Sequence, residues 1–181
     1  PFFVHMTFQR PHAPIAPARD YFDMYDPAAL TLPASAHDYF ERRFAGKPEF
    51  MRQTLADGCG YPLADPDENR LRRCLASYYA LISCIDMEIG RVLKKLADDG
   101  ELENTIVFYT ADHGDFAGEH GLFHKNFGLY DSICRIPFLL SWPGGPRGVT
   151  NDELVESVDL YPTLCELCDV PLPAGRDGCS L

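Results

Sequence analysis

Asn104-Thr105-Ile106-Val107-Phe108-Tyr109-Thr110 runs directly into Ala111-Asp112-His113-Gly114-Asp115. The first seven residues are dense in β-branched and aromatic side chains, as in a strand buried within a parallel sheet. The next five break into a turn. In open α/β sheets, ligands bind just beyond the carboxyl ends of strands. An Asp and a His side by side at that place offer a charged oxygen and a neutral imidazole nitrogen, a donor pair suited to a divalent cation. Taken alone, Asp-His-Gly equally describes an ordinary Asx-type turn.

The flanking sequence gives the strand its context. Leu71, Leu75, Tyr78, Ile82, Ile85, Ile89, Val92 and Leu96 recur at four- and three-residue steps, which predicts one apolar face of a long helix. Asp65 is its candidate N-cap, with Pro66 at the first helical position and Gly100 as the stop. Downstream, Ile136 to Trp142 predicts another buried strand, ended by Pro143-Gly144-Gly145, and a short helix follows Asp159 with Pro162 in its first turn. Upstream, Phe2 to Phe8 predicts a buried strand and Ala36 to Phe44 a short helix. The four prolines from Pro11 to Pro27 imply irregular backbone, and Gly46 to Pro66 a surface loop. Strand, long helix, strand is a βαβ pattern, so the expected fold is α/β, a mostly parallel sheet flanked by helices.

With 46% hydrophobic residues, a chain of 181 residues has enough apolar material for one domain with a core. Its mean hydropathy of -0.18 is ordinary for a soluble domain, and no apolar run approaches the roughly 20 residues that span a bilayer. Pro1 to Phe8 is apolar but lacks a basic n-region and a small-residue cleavage site, so it does not read as a signal peptide. The net charge of -11 excludes nucleic acid as an expected partner, because no basic stripe is present to meet a phosphate backbone. An acidic protein that binds an anion needs local positive charge from a metal or a well-placed Lys. Lys125 can supply that charge from a long glycine-containing loop (Gly114, Gly118, Gly121, Gly128), although a lone loop Lys is usually just solvated. His12 lies between Pro11 and Ala13-Pro14, where stiff backbone suits a side chain that must be aimed. The seven cysteines are an odd number, and Cys165-x-x-Cys168 has no second pair at zinc-ribbon spacing. Most are expected to be small buried apolar residues.

Assembled in order, these segments resemble the sulfatase family of the alkaline phosphatase superfamily. The resemblance is carried by Pro1-Phe2-Phe3 through Pro11-His12-Ala13-Pro14, by residues 21–27 (YFDMYDP), and by residues 104–107 leading into Thr110-Ala111-Asp112-His113-Gly114-Asp115. It continues through residues 118–125 (GEHGLFHK), residues 130–137 (YDSICRIP), Trp142-Pro143-Gly144, residues 158–164 (VDLYPTL) and Asp177-Gly178-Cys179-Ser180-Leu181. It implies a partial alkaline-phosphatase-like fold, with residues 1–181 forming the central to C-terminal part of a sulfatase catalytic domain. It implies Asp112 and His113 as metal ligands, with calcium as the expected ion and manganese or zinc as alternatives. It implies Lys125 as the group that contacts the sulfate and His12 as a proton donor to the leaving group, both touching substrate. His120 and His124, which flank the lysine loop, are further candidates for substrate contact, and Asp115 is a candidate to support the site from behind.

The sequence departs from the family in two respects that matter for chemistry. Sulfatases carry a Cys/Ser-x-Pro/Ala-x-Arg motif whose first residue becomes formylglycine, and none of Cys59, Cys74, Cys84, Cys134, Cys165, Cys168 and Cys179 begins one. The paired aspartates of the family's earlier strand are absent as well. These 181 residues are therefore expected to be the middle of an enzyme, with the formylglycine upstream, no ester turnover of their own, and poor folding in isolation. The expected parent cleaves sulfate esters of a sugar or other small alcohol. The alternatives are phosphodiester or phosphonate monoester hydrolysis on the same scaffold, or a non-catalytic relative that binds anionic ligands. Localisation and oligomeric state are not legible; family members are often exported or lysosomal.

Overall fold

The long apolar stripe does form a helix. In a computed structural model that describes residues 1–37, 45–50, 53, 67–125 and 128–181, a single turn, α1 (Arg19–Phe22), is followed by the 31-residue α2 (Glu68–Asp98). Asp67 caps α2: its Oδ1 accepts the Asn69 N–H at 2.9 Å, satisfying a donor that has no partner within the helix. Asp65 and Pro66, the expected cap and first position, lie outside the described residues, as do all but two residues of the expected helix from Ala36 to Phe44 and most of the expected loop from Gly46 to Pro66. Ala34–His37 forms a short 3-10 turn. The C-terminal stop is as expected. Gly100 takes φ +75°, its N–H donates to Ala97 O at 3.0 Å, and the Glu101 N–H donates to Leu96 O at 2.9 Å, a Schellman closure that a left-handed glycine permits.

The buried face of α2 is displaced from the expected one. Leu71 and Leu75 are buried, joined by Ala76, Ala80 and Leu81, whereas Ile82 and Val92 are exposed. The first half of the helix is covered by α1 and by the 3-10 turn Pro27–Ala29. Tyr25 fastens that cover, with its hydroxyl 2.6 Å from Ser83 Oγ and its ring 5.8 Å from that of Tyr79. The Arg72 guanidinium donates to the Leu30 carbonyl from the same side.

The sheet corrects the parallel expectation. Strands β1 (Val107–Thr110) and β2 (Phe138–Ser141) pair antiparallel, Val107 opposite Ser141 and Thr110 opposite Phe138, and they form a two-stranded sheet among the described residues. A parallel pair needs a crossover that carries the chain back to the start of the first strand. Here the chain leaves β1 through a closed loop and the single turn α3 (Asp131–Cys134), and it re-enters beside Thr110 running the other way. Phe108 and Phe138 lock the register edge to face at 4.8 Å, and Thr110 Oγ1 donates to Pro137 O at 2.9 Å. The expected strand from Phe2 to Phe8 is not one. It pairs with no described strand, and Phe2, Phe3, Val4, Met6 and Phe8 are exposed, Phe3 by 83%. Strand-like composition yields a strand only where a neighbour takes its backbone hydrogen bonds.

Two compact units are present, Pro1–Pro143 and Gly144–Leu181. In the first, Ala36, Leu71 and Phe123 form a core with Ile15, Leu32 and Cys74 packed against it. This core joins the proline-containing segment, the start of α2 and the loop that carries Lys125. In the second, the 3-10 turn Ser157–Asp159 leads into α4 (Leu160–Leu167), with Pro162 in its first turn as expected. Buried Asp159 accepts the N–H of Glu156 at 2.8 Å and of Cys179 at 2.9 Å, so the closing Asp177-Gly178-Cys179-Ser180-Leu181 segment is tied to the head of that helix. Of the described cysteines only Cys165 is buried; Cys134, Cys168 and Cys179 are exposed, contrary to expectation, and all six described thiols are free. Cys59 lies outside the described residues.

Candidate active site at the end of the first strand

Asp112 and His113 follow β1 directly, and the turn that carries them is pinned from behind. The Gly114 N–H donates to Ile133 O in α3 at 2.8 Å, an approach so close that only glycine fits. A Cβ at residue 114 would run into the Ser132 carbonyl. Asp112 turns its carboxylate back to accept the His113 N–H at 3.0 Å and leaves that side chain 87% exposed.

The His113 ring is held in one tautomer. Its Nδ1 lies 2.7 Å from Gly114 O, and a carbonyl can only accept, so Nδ1 carries the proton. Nε2 is left with its lone pair, and it accepts from the Lys125 ammonium. Asp112 Oδ2 lies 3.5 Å from the same Nε2. An imidazole lone pair and a carboxylate thus face one point, and a backbone carbonyl orients the ring from outside, the usual arrangement around a metal-binding histidine. The donor chemistry fits a divalent cation, and the Lys125 ammonium already places a positive charge beside that lone pair. The donor number does not suffice: among the described residues, no group of three or more His, Cys, Asp or Glu could hold an ion.

Lys125 is delivered by a loop that closes on itself. The Phe116 N–H donates to His124 O at 3.2 Å and the Gly118 N–H to Leu122 O at 2.8 Å. Phe116, Leu122 and Phe123 are buried and anchor the loop from within. Asp115 lies at its mouth, where Oδ1 accepts the N–H of Ala117 at 2.8 Å and of His124 at 3.0 Å. Ala117, His120 and His124 all have positive φ, +44°, +52° and +71°, a conformation that non-glycine residues adopt only where the surroundings over-determine it.

The remaining candidates divide. The His12 ring lies 6.2 Å from that of His124. Its Nδ1–H donates to Ala13 O at 3.0 Å, which leaves Nε2 as the nitrogen that can exchange a proton. Partial burial above all, then the neighbouring His12 and Lys125, hold His124 below the usual imidazole range, while Asp115 pulls the other way. The His120 ring packs instead against Tyr130 at 4.9 Å and Phe116 at 6.4 Å, and the backbone N–H of His120 donates to Ser35 Oγ at 3.0 Å. Ser35 and Tyr78 also lie here, and neither was a candidate from the sequence. Burial, then Asp115 and Tyr109, raise the Tyr78 phenol. No local motif marks either residue, because each arrives from a segment distant in sequence.

The family model described as sulfatase matches residues 1–170. This chain belongs to the sulfatase family. It is 35% identical, over its whole length, to an arylsulfatase of Clostridium perfringens, of which it covers 37%. It is 31% identical to a multifunctional alkaline phosphatase superfamily protein of Trinickia caryophylli, again over its whole length and 37% of that protein. Among solved structures, 99% of the chain superposes on 36% of a phosphonate monoester hydrolase from Silicibacter pomeroyi, with a TM-score of 0.83 and 31% identity. The chain thus spans little more than a third of these relatives.

Proposed function

We propose that the sulfatase-family protein containing this chain is a metal-dependent sulfuric ester hydrolase that acts on a sulfated sugar or other small alcohol. The observation that carries this reading is the convergence of the Lys125 ammonium and the Asp112 carboxylate on His113 Nε2 at the end of β1. A sulfate ester brings a single negative charge spread over three oxygens. Lys125 donates hydrogen bonds to those oxygens and offsets the charge that builds as the ester bond breaks. Asp112 and His113 would supply two of the ligands of a divalent ion, calcium in the leading reading and manganese or zinc in the alternative, and the ion would serve as a Lewis acid toward the ester. His12 Nε2 protonates the departing alcohol oxygen, and the adjacent His124 keeps a second imidazole beside it. The nucleophile, a formylglycine in this reading, comes from residues outside this sequence.

A second reading has its own support. Phosphonate monoester hydrolysis is favoured by the likeness to the Silicibacter pomeroyi enzyme and by an imidazole at residue 113, which suits manganese or zinc better than calcium. The full-length protein should be assayed with 4-nitrophenyl sulfate and with the 4-nitrophenyl monoester of phenylphosphonic acid, before and after chelation. The sulfate reading requires the higher kcat/KM on the sulfate, abolished by chelator and lowered roughly 100- to 1000-fold by Lys125→Ala. A higher kcat/KM on the phosphonate selects the second reading, and hydrolysis of neither ester sinks both.

A further inference from the structure

Lys125 owes its position to the backbone of the residue before it, and one carboxylate oxygen holds that backbone. Asp115 Oδ1 accepts two N–H groups from opposite ends of the loop, Ala117 at 2.8 Å and His124 at 3.0 Å. Both donors belong to residues in the left-handed conformation, φ +44° and +71°. Neither is glycine, so each would relax toward ordinary backbone if released. Beside them, the N–H of Phe116, the residue before Ala117, donates to His124 O at 3.2 Å and completes the closure. The next side chain in sequence is Lys125, whose ammonium reaches His113 Nε2. Asp115 is itself two residues past His113, so one short span of chain carries the imidazole and, through Asp115, fixes the lysine that meets it.

We infer that Asp115 is a positioning residue: by holding the Ala117 and His124 N–H groups it keeps residue 124 left-handed and thereby aims Lys125 at the substrate anion. The inference deepens the anionic-ester reading and rests on it for its catalytic consequence. What Asp115 supplies to the loop backbone is an acceptor oxygen at a fixed place, a contribution separate from the charge it presents to His124 and Tyr78. Asparagine preserves that oxygen without the charge, and glutamate preserves the charge but carries the oxygen one methylene further out.

The test compares Asp115→Asn and Asp115→Glu in the full-length protein, each in the wild-type and Lys125→Ala backgrounds, with kcat/KM on 4-nitrophenyl sulfate and the phosphonate monoester. Amide hydrogen exchange at Ala117 and His124 is measured alongside. Asp115→Asn should retain kcat/KM near wild type and protected amides. Asp115→Glu should expose both amides and lower kcat/KM roughly 100-fold, the effect of a misplacement of about 1 Å. In the Lys125→Ala background, Asp115→Glu should cost little more, because both changes disable the same group. Three results overturn the inference: an active Glu variant beside an inactive Asn variant, an equal loss in both backgrounds, or unaltered exchange at His124 in the Glu variant. Should the wild type hydrolyse neither ester, the functional reading fails, while exchange at His124 still decides whether Asp115 holds the turn.

Discussion

Gly114→Ala should be among the most damaging single-carbon additions in this chain. An ideal Cβ at Gly114 overlaps the Ser132 carbonyl oxygen and lies 2.9 Å from its carbon and 3.2 Å from Ile133 Cα. Carbon atoms pack at roughly 3.5–4.0 Å, so the turn must withdraw from α3 by on the order of 1 Å. That movement breaks the 2.8 Å bond from the Gly114 N–H to Ile133 O, a loss of about 1 kcal/mol, and overpacking adds about 1–3 kcal/mol. The expected destabilisation is therefore about 2–4 kcal/mol. Because Asp112 and His113 ride on the same turn, a displacement of that size should also lower kcat/KM roughly 100-fold. The assay is urea denaturation of the full-length protein together with kcat/KM on 4-nitrophenyl sulfate. Gly90→Ala is the control: a Cβ there meets nothing within 4 Å, and alanine in a helix should stabilise by about 0.5–1 kcal/mol. A Gly114→Ala variant within about 0.5 kcal/mol of wild type, the range of an indifferent surface change, and with unaltered kcat/KM, would refute the reasoning.

Asp67→Ala removes the acceptor for the Asn69 N–H and should lower stability by about 1 kcal/mol in denaturation, leaving kcat/KM unchanged. In the second unit, the N–H groups of Cys179 and then Glu156 hold the Asp159 carboxyl below the usual aspartate range. Its contribution is therefore complete above the ordinary aspartate pKa and is lost as pH falls through the depressed folded value. Amide exchange at Cys179 should quicken over that acidic window. Asp159→Asn, which cannot titrate and keeps one acceptor oxygen in place of two, should remove the pH dependence and give up one of the two backbone hydrogen bonds.

How far the sequence carried the fold depended on whether the signal was local. Helix α2 was legible because its periodicity and its stop at Gly100 lie within the segment itself. The displaced burial of Ile82 and Val92 was not legible, since it depends on which segments cover the helix. Phe2 to Phe8 misled for the same reason: β-branched and aromatic residues describe what a strand is made of, and only a partner makes it one. The antiparallel sheet was hidden by the assumption that strand-helix-strand implies a crossover, when the informative stretch was the loop returning from Thr110 to Phe138. At the candidate site, Asp112 and His113 were read as candidates from their place after a strand, and Lys125 from the family resemblance; the structure sets the first two just beyond β1 and adds the Lys125 contact with His113. The two backbone bonds at Asp115 left no trace, because residues 117 and 124 contribute only their N–H groups and any non-proline side chain there leaves the same donor.

The self-closing loop has a consequence for how such a site can diversify. Two of its hydrogen bonds run between its own residues, Phe116 to His124 and Gly118 to Leu122, its buried side chains secure it from inside, and the His120 backbone N–H reaches out to Ser35 Oγ. The histidines at 120 and 124 both stand on left-handed backbone, at φ +52° and +71°. If Lys125 meets an anion as proposed, exchange of the His124 side chain would alter what surrounds that anion while the backbone bonds that place Lys125 remained.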